Sequence, residues 1–550
     1  MAGPATVADA ARELRSGACS SVGLTRSALA RADALGFLGA YVTRLDDPAL
    51  AAAERADAGF AVGADAGPLQ GISVAIKDLL CTAEAPTTAQ SLVLDPAWGA
   101  GRDAAVVTAL RRGGAVITGK ASLSEFAIGR PDPSKPFPIP RNPWNPGTWP
   151  GGSSSGTAVG IAAGLFLAGI GTDTGGSIRI PAAFCGISGL KPTYGLVPTE
   201  GCVPLAFSQD HVGPMARTAE DCRTILEVIA DPSGLRRSRR TRLRRLAGAN
   251  ADRPLRGLRV GAVRADHFGP GCDPAAEPCF DAVLGVLEQL GAEVRAATLP
   301  RYRATRAAGL AVIQAEGFAY HRTNLAGRWS DFFDTTREML AYGALLSGAD
   351  YVQAQRVRAA AQRGAAALFE DHHVVVTPTL TIGSPAYGPD FAVDVGSMLD
   401  TIHTGYWNCT GSPALAIPMG FTATGLPLSF QIVGAPFHDH LVTDVGEAIQ
   451  RATDWHRRMP SGEQLGTWHA QLGTPRTPGP RVLRTPVPDS ENLQTVRALL
   501  AAAGITGASE HELAALAYAY PGHRRALDSL YAEPYGDLAP AVRFAPDLPH

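Results

Sequence analysis

The segment "PGGSSSGTAVGIAAGLFLAGIGTDTGGSIRIP", residues 150–181, constrains this chain more than any other. Two clusters of serine and glycine, Gly151–Gly156 and Gly175–Ser177, flank a run of small and apolar residues. Glycine lacks a Cβ, so backbone N–H groups beside it can approach a ligand closely. Each cluster can therefore present a serine hydroxyl among free donors. The intervening residues Thr157 to Leu167 read as a helix so rich in Ala and Gly that other backbone must pack closely on it. The segment holds no histidine, and its one carboxylate is Asp173. A base for an attacking serine must come from elsewhere in the chain.

Two familiar motifs come near and miss. Gly114-Ala-Val-Ile-Thr-Gly119-Lys120 resembles a phosphate-binding loop, but Ala121 stands where a hydroxyl would hold magnesium. The segment also runs from a turn into a strand, whereas such a loop opens a helix. Gly152-Ser-Ser154-Ser-Gly156 fits G-x-S-x-G, but a nucleophile elbow needs a strand ahead of it. The preceding "NPWNPGTWP" is unsuited to a central strand, because proline removes ladder donors. His211, His267 and His403 follow, and nothing in the sequence marks one of them as a base.

The rest of the chain reads as α/β. Residues 6–62 read as helices. Ile72, Val74 and Ile76 then alternate with Ser73, Ala75 and Lys77, as in a half-buried strand. "AAVVTALRRGGAVITGKAS" is a helix, a glycine stop and a strand. Strand patterns return at "LRVGAVR", "HHVVVTPTL", "SPALAIPMGF" and "LPLSFQIVG". Seven arginines between Arg236 and Arg245 read as a solvated loop or exposed helix. Residues 474–490, with five prolines, read as an extended linker. Beyond it Leu493, Val496, Leu499 and Leu500 share a helix face, Gly504 closes that helix, and Ser509 with Glu512 opens the next as a capping box. Pro521 is expected to interrupt that second helix, and residues 533–550 to be extended. This appendage, 491–550, has too little core to stand alone and should lie on the main body.

With 45% apolar and 18% charged residues, the 550-residue chain has the composition of a soluble globular protein with a large core. Its net charge of −2 supplies no general attraction to nucleic acid or an anionic membrane. No apolar run is long enough to span a bilayer, and the N-terminus lacks the continuous apolar core of a leader. The eight cysteines are scattered, with no C-x-x-C pair. They read as reduced thiols, mostly buried, of a cytoplasmic protein.

"GISVAIKD", "PGGSSSGTAVGIAAG" and "GTDTGGSIRIPAAFCGISGLKPTYG", continued by "HVGPMART", "NCTGSPALAIPMGFTATGLPLSFQIVG" and "ATDWHRRMP", together resemble the amidase signature family over roughly residues 5 to 460. The resemblance implies an α/β fold with a single large domain, 1–473, whose mixed twisted central sheet is covered by helices. It implies a catalytic Lys77, a bridging Ser153 held by a cis peptide bond, and a nucleophilic Ser177. Thr174, Gly175, Gly176 and Ser177 would supply the oxyanion N–H groups, with Ser154, Asp173 and Arg179 in support. No metal or organic cofactor is implied. A free lysine is a poor base near neutrality, with a pKa of about 10.4, and burial would lower it. The substrate would be a small-molecule amide, with a homodimer as a candidate assembly. Within the family, the alternatives to an amidohydrolase are the glutaminase subunit of an amidotransferase and a catalytically silent scaffold. His403, Tyr406 and Trp407 fall in a variable region and are candidates for the substrate pocket or for packing. Helices followed by an extended tail resemble the small accessory subunits that wrap some family members, so 491–550 could be a fused equivalent.

Overall fold

Eleven strands lie in one mixed sheet in the computed structural model, which describes residues 4–241, 252–387, 400–472, 487–532, 535 and 538–541. In chain order they are β1 (Tyr41–Arg44), β2 (Ser73–Lys77), β3 (Val116–Ala121), β4 (Ala168–Asp173), β5 (Ser188–Lys191), β6 (His211–Ala216), β7 (Arg259–Val263), β8 (Glu293–Ala297), β9 (Val374–Leu380), β10 (Ala414–Phe421) and β11 (Pro427–Gly434). Across the sheet the order is β1-β3-β2-β4-β6-β5-β10-β11-β9-β7-β8. β2 runs parallel to β3 and β4, β7 parallel to β8 and β9, and the remaining pairs are antiparallel.

Strand β2 shows how the site is positioned. Its alternating pattern predicted one buried face, but all five residues are buried. Val74 and Ile76 join one apolar cluster with helices Ala105–Arg112, Ala219–Ile229 and Asp439–Ala452. Ala75 joins another with Ala158, Val159 and Ala162 of helix Ser155–Ala163. Successive side chains of a strand point to opposite faces, so helices cover both sides and Lys77 is carried into the interior. The small-residue helix is needed here because its neighbours leave no room. A Cβ on Gly156 would collide with the Ala40 carbonyl and Ser122, and one on Gly160 with the Phe166 ring.

Four local expectations require correction. Residues 6–62 are not all helix: β1 intervenes and pairs with β3, where aromatic and β-branched Tyr41, Val42 and Thr43 suit an edge. The strand at 73–77 is not half-buried, for the reason above. The helix after the first serine cluster ends at Ala163, because Gly164 adopts the left-handed conformation (φ 72°) and caps it. Pro521 does not interrupt the last helix, which runs Glu510–Asp528. Burial of Leu513, Leu516 and Ala517 before the proline and Leu527 after it holds both sides in line. The arginine run begins as helix Pro232–Arg239, with Arg237 over the Phe437 ring and Arg239 paired to Glu227. Arg242, Arg244 and Arg245, most of the 474–490 linker and the end of the tail lie outside the described residues.

The C-terminal helices, Ser490–Ala502 and Glu510–Asp528, pack on the body. Val496, Leu500, Leu513 and Leu516 join a cluster with Leu79, Phe126, Trp329 and Phe332. Leu527 and Leu530 pack on Ala308, Val312 and Val357. Arg524 donates to both oxygens of Asp350, at 2.9 and 3.0 Å. Deleting residues 487–550 would bare these apolar faces and remove the Arg524 partner of Asp350. The expected result is a thermal midpoint lowered by at least several degrees in calorimetry; an unchanged midpoint would make the appendage an ornament. No helix among the described residues is long and apolar enough to cross a membrane.

Candidate active site

Lys77 ends β2 with its side chain wholly buried. Its Nζ lies 2.7 Å from Ser153 Oγ, 2.7 Å from Thr172 Oγ1 and 3.1 Å from Ser154 Oγ. Burial is the main cause of a lysine pKa lowered to about 7, with Cys202, Asp173 and Asp210 pulling weakly the other way. Near neutrality much of this amine is therefore uncharged. A neutral amine donates two hydrogen bonds and accepts one. Ser154 Oγ already donates to the Thr172 carbonyl at 3.2 Å, so it suits an acceptor from Lys77. The Ser153 hydroxyl is then free to give its proton to Nζ. The Gly152–Ser153 peptide bond is cis, and the Ser153 carbonyl accepts from the Ser124 N–H at 3.1 Å.

The second serine cluster meets the first directly: Ser154 N–H donates to the Ser177 carbonyl at 3.1 Å. Ser153 and Ser154 are buried, whereas Ser177 is partly exposed. The accessible hydroxyl thus belongs to the second cluster. Gly176 sits at φ 139°, and a Cβ there would strike Thr404. The Thr404 hydroxyl donates to the Gly175 carbonyl at 2.6 Å, and the Thr174 hydroxyl to Asp210 at 2.6 Å. The next N–H groups are committed: Ile178 to Asp173 Oδ2 at 3.2 Å and Ile180 to the Gly176 carbonyl at 2.7 Å.

Asp173 and Arg179 hold this turn from below. Arg179 donates to both Asp173 oxygens at 3.0 Å, to the Thr404 carbonyl at 3.0 Å, to Gln431 at 2.8 Å and to Asn408 at 2.7 Å. Burial pushes the Asp173 carboxyl up, but the Arg179 charge and hydrogen bonds outweigh it and hold it well below the usual carboxylate range. Replacing Arg179 with methionine would strand a buried carboxylate, at a cost of about 3–5 kcal/mol. Chemical denaturation should show that loss at neutral pH, and an unshifted midpoint would remove the bracing role.

The remaining sequence candidates divide. Tyr406 and Trp407 are fully buried in an apolar cluster with Val263, Leu299 and Val375. His403 shares a 2.7 Å hydrogen bond with the Tyr302 hydroxyl and lies against His267, ring centroids 4.3 Å apart. The structure places all three in the packed wall, with Thr404 between them reaching the site. His211 is buried against the Gln209 carbonyl and Lys191, and burial lowers it far below the usual histidine range. Lys120, of the near-miss phosphate motif, lies in β3 and pairs with Asp78 at 2.9 Å. Sequence reasoning missed Thr172, Thr404, Asn408, Gln431 and Asp210. Asn408 and Gln431 do lie inside motifs that carried the resemblance, "NCTGSPA" and "SFQIVG", but nothing local showed that they meet Arg179.

A large mixed sheet is thus covered by helices, and Lys77 at the end of β2 meets the first serine cluster, which in turn meets the second. The family model described as Amidase matches residues 23–443, and the chain belongs to this family, the amidase signature family. One subunit of the glutamyl-tRNA(Gln) amidotransferase of Methylococcus capsulatus is 38% identical over 485 residues, 83% of this chain and 99% of the relative. The corresponding subunit from Roseiflexus sp. is 38% identical over 484 residues, 83% of this chain and 98% of the relative. Among solved structures, native peptide amidase from Stenotrophomonas maltophilia superposes with a TM-score of 0.68 at 28% identity, covering 83% of this chain and 98% of that one. A protein from a complex described as revealing the origins of an s-triazine catabolic enzyme gives 0.73 at 28% identity, covering 81% and 98%.

Proposed function

We propose that this chain is an amidohydrolase that cleaves a carboxylic amide C–N bond through a Ser177 acyl-enzyme. The observation that carries the reading is the 2.7 Å contact of buried Lys77 Nζ with Ser153 Oγ. Neutral Lys77 takes the Ser153 proton, Ser153 takes that of Ser177, and Ser177 Oγ attacks the amide carbonyl. The oxyanion forms against the N–H groups of residues 174–177, where each donor is typically worth a factor of about 10²–10³. The proton returns through Ser153 to the leaving nitrogen, which departs as ammonia or an amine. Water then resolves the ester by the same relay. A cytoplasmic site of action and a small-molecule amide substrate go with this reading.

The relatives named as amidotransferase subunits support a second reading, a glutaminase that passes ammonia to a partner. The C-terminal appendage favours the first. It lies beyond the family match, which ends at residue 443, and covers helices Tyr302–Gly327 and Gly348–Asp371 with residues of the same chain. We read it as a fused equivalent of an accessory subunit.

An amide-library screen for ammonia or amine release, with Ser177→Ala as the blank, tests both readings. Turnover of amides by the chain alone supports the hydrolase. Release from glutamine alone would transfer the case to the amidotransferase. A chain that neither turns over an amide nor reacts at Ser177 with a fluorophosphonate probe would be a silent homologue.

A further inference from the structure

We propose that Glu512, in the C-terminal appendage, is a positioning residue for the Ser153 relay. The inference rests on the proposed acyl-enzyme reading. Glu512 Oε2 completes a capping box, receiving the Ser509 N–H and hydroxyl, each at 2.7 Å. Oε1 leaves the appendage and receives Arg337 Nε at 2.6 Å and Trp329 Nε1 at 3.1 Å. Those two donors bracket residues 329–337, and Arg337 Nη1 also holds the Phe332 carbonyl at 2.9 Å.

From that segment two contacts reach the relay loop. The Phe333 N–H donates to Glu125 Oε2 at 2.6 Å, and the Phe332 ring lies against Phe126, centroids 5.9 Å apart. Glu125 is wholly buried, and its Oε1 accepts from the Ser91 hydroxyl at 2.5 Å. It follows Ser124, whose N–H fixes the Ser153 carbonyl at 3.1 Å. Phe126 (φ 48°) and Ala127 (φ 64°) both sit in the left-handed region, a conformation that side-chain-bearing residues keep only where surroundings over-determine it. The Thr336 hydroxyl bonds the Ile128 carbonyl at 3.1 Å, and the Thr335 hydroxyl receives the Arg130 N–H at 2.8 Å, which extends the same clamp. An acidic residue far along the chain from Ser153 thereby sets the loop on which Ser153 hangs.

The test is the rate at which a fluorophosphonate probe phosphonylates Ser177, with loss of fluoride, and steady-state KM and thermal midpoint are measured on the same full-length samples. Glu512→Ala should lower that labelling rate and kcat about tenfold with KM unchanged, at temperatures well below its midpoint. Glu512→Gln keeps an acceptor oxygen and should restore most of the rate. Trp329→Phe keeps an aromatic ring, removes one donor, and should cost a few-fold even if Glu512→Ala does not fold. In a double-mutant cycle, Glu512→Ala and Glu125→Gln should be non-additive, because they act on one path. A change in midpoint alone, a rise in KM alone, or additive effects would overturn the proposal. A wild-type chain that does not label at Ser177 would instead overturn the acyl-enzyme reading.

Discussion

Ser177→Ala is expected to abolish covalent labelling and to lower amide hydrolysis by a factor on the order of 10⁴ or more, since loss of the nucleophile leaves only binding and oxyanion stabilisation. The size of the effect follows from the division of labour between the two clusters. Ser154 Oγ is engaged by Lys77, the Thr172 N–H and the Thr172 carbonyl, all within 3.2 Å, and has no freedom to attack. Ser177 is partly exposed and follows Gly176, whose φ of 139° opens the backbone toward a ligand. Ser154→Ala is expected to reduce the rate much less, by loosening the lysine. Mass spectrometry of the labelled peptide separates the serines, and a lethal Ser154→Ala beside a reactive Ser177→Ala would restore the nucleophile elbow at Ser154.

Lys77→Met should be almost as damaging, costing on the order of 10³-fold or more, because the relay loses its terminal base. The wild-type pH profile carries the same information. With Lys77 lowered to about 7 by burial, kcat/KM should rise as pH passes upward through about 7 and then level off. Lys77→Met should lose that limb. A rate limb near 10, or a Lys77→Met enzyme active at neutral pH, would sink the lysine as base. The stability sign is opposite to that of a paired cation. Between about 7 and the unfolded value near 10.4, the unfolded chain holds a proton that the native chain lacks. The native state therefore gains stability as pH rises through that window, and below it both states hold the proton and the dependence on this group levels off.

Much of the fold was legible because its signals are local. The helix, glycine stop and strand of 105–121 appear as read, and so do the strands at 259–263, 374–380, 414–421 and 427–434. The capping box of Ser509 and Glu512 is present with both of its hydrogen bonds. Misreadings came where tertiary burial overrides a local pattern. β2 alternates like a half-exposed strand because one face meets Ala- and Gly-rich neighbours, whose small residues do not register as a partner layer. Pro521 reads as a stop because the cost of a lost N–H is local, while the packing that tolerates it comes from a separate part of the chain.

By itself the sequence determined the chemistry's vocabulary: two serine–glycine clusters, a lysine at the end of a strand, and no histidine among them. Small residues at 155–163 also determined that another backbone would press close. Which serine is accessible was decided only by the tertiary structure, because exposure is a property of the packed whole. The same holds for the lysine, whose proton affinity depends on burial by strands and helices drawn from across the chain. The partners of Arg179 come from residues 404, 408 and 431, and those of Glu512 from 329 and 337. Such pairs are brought together by the sheet order and helix packing, over sequence separations that no periodicity spans.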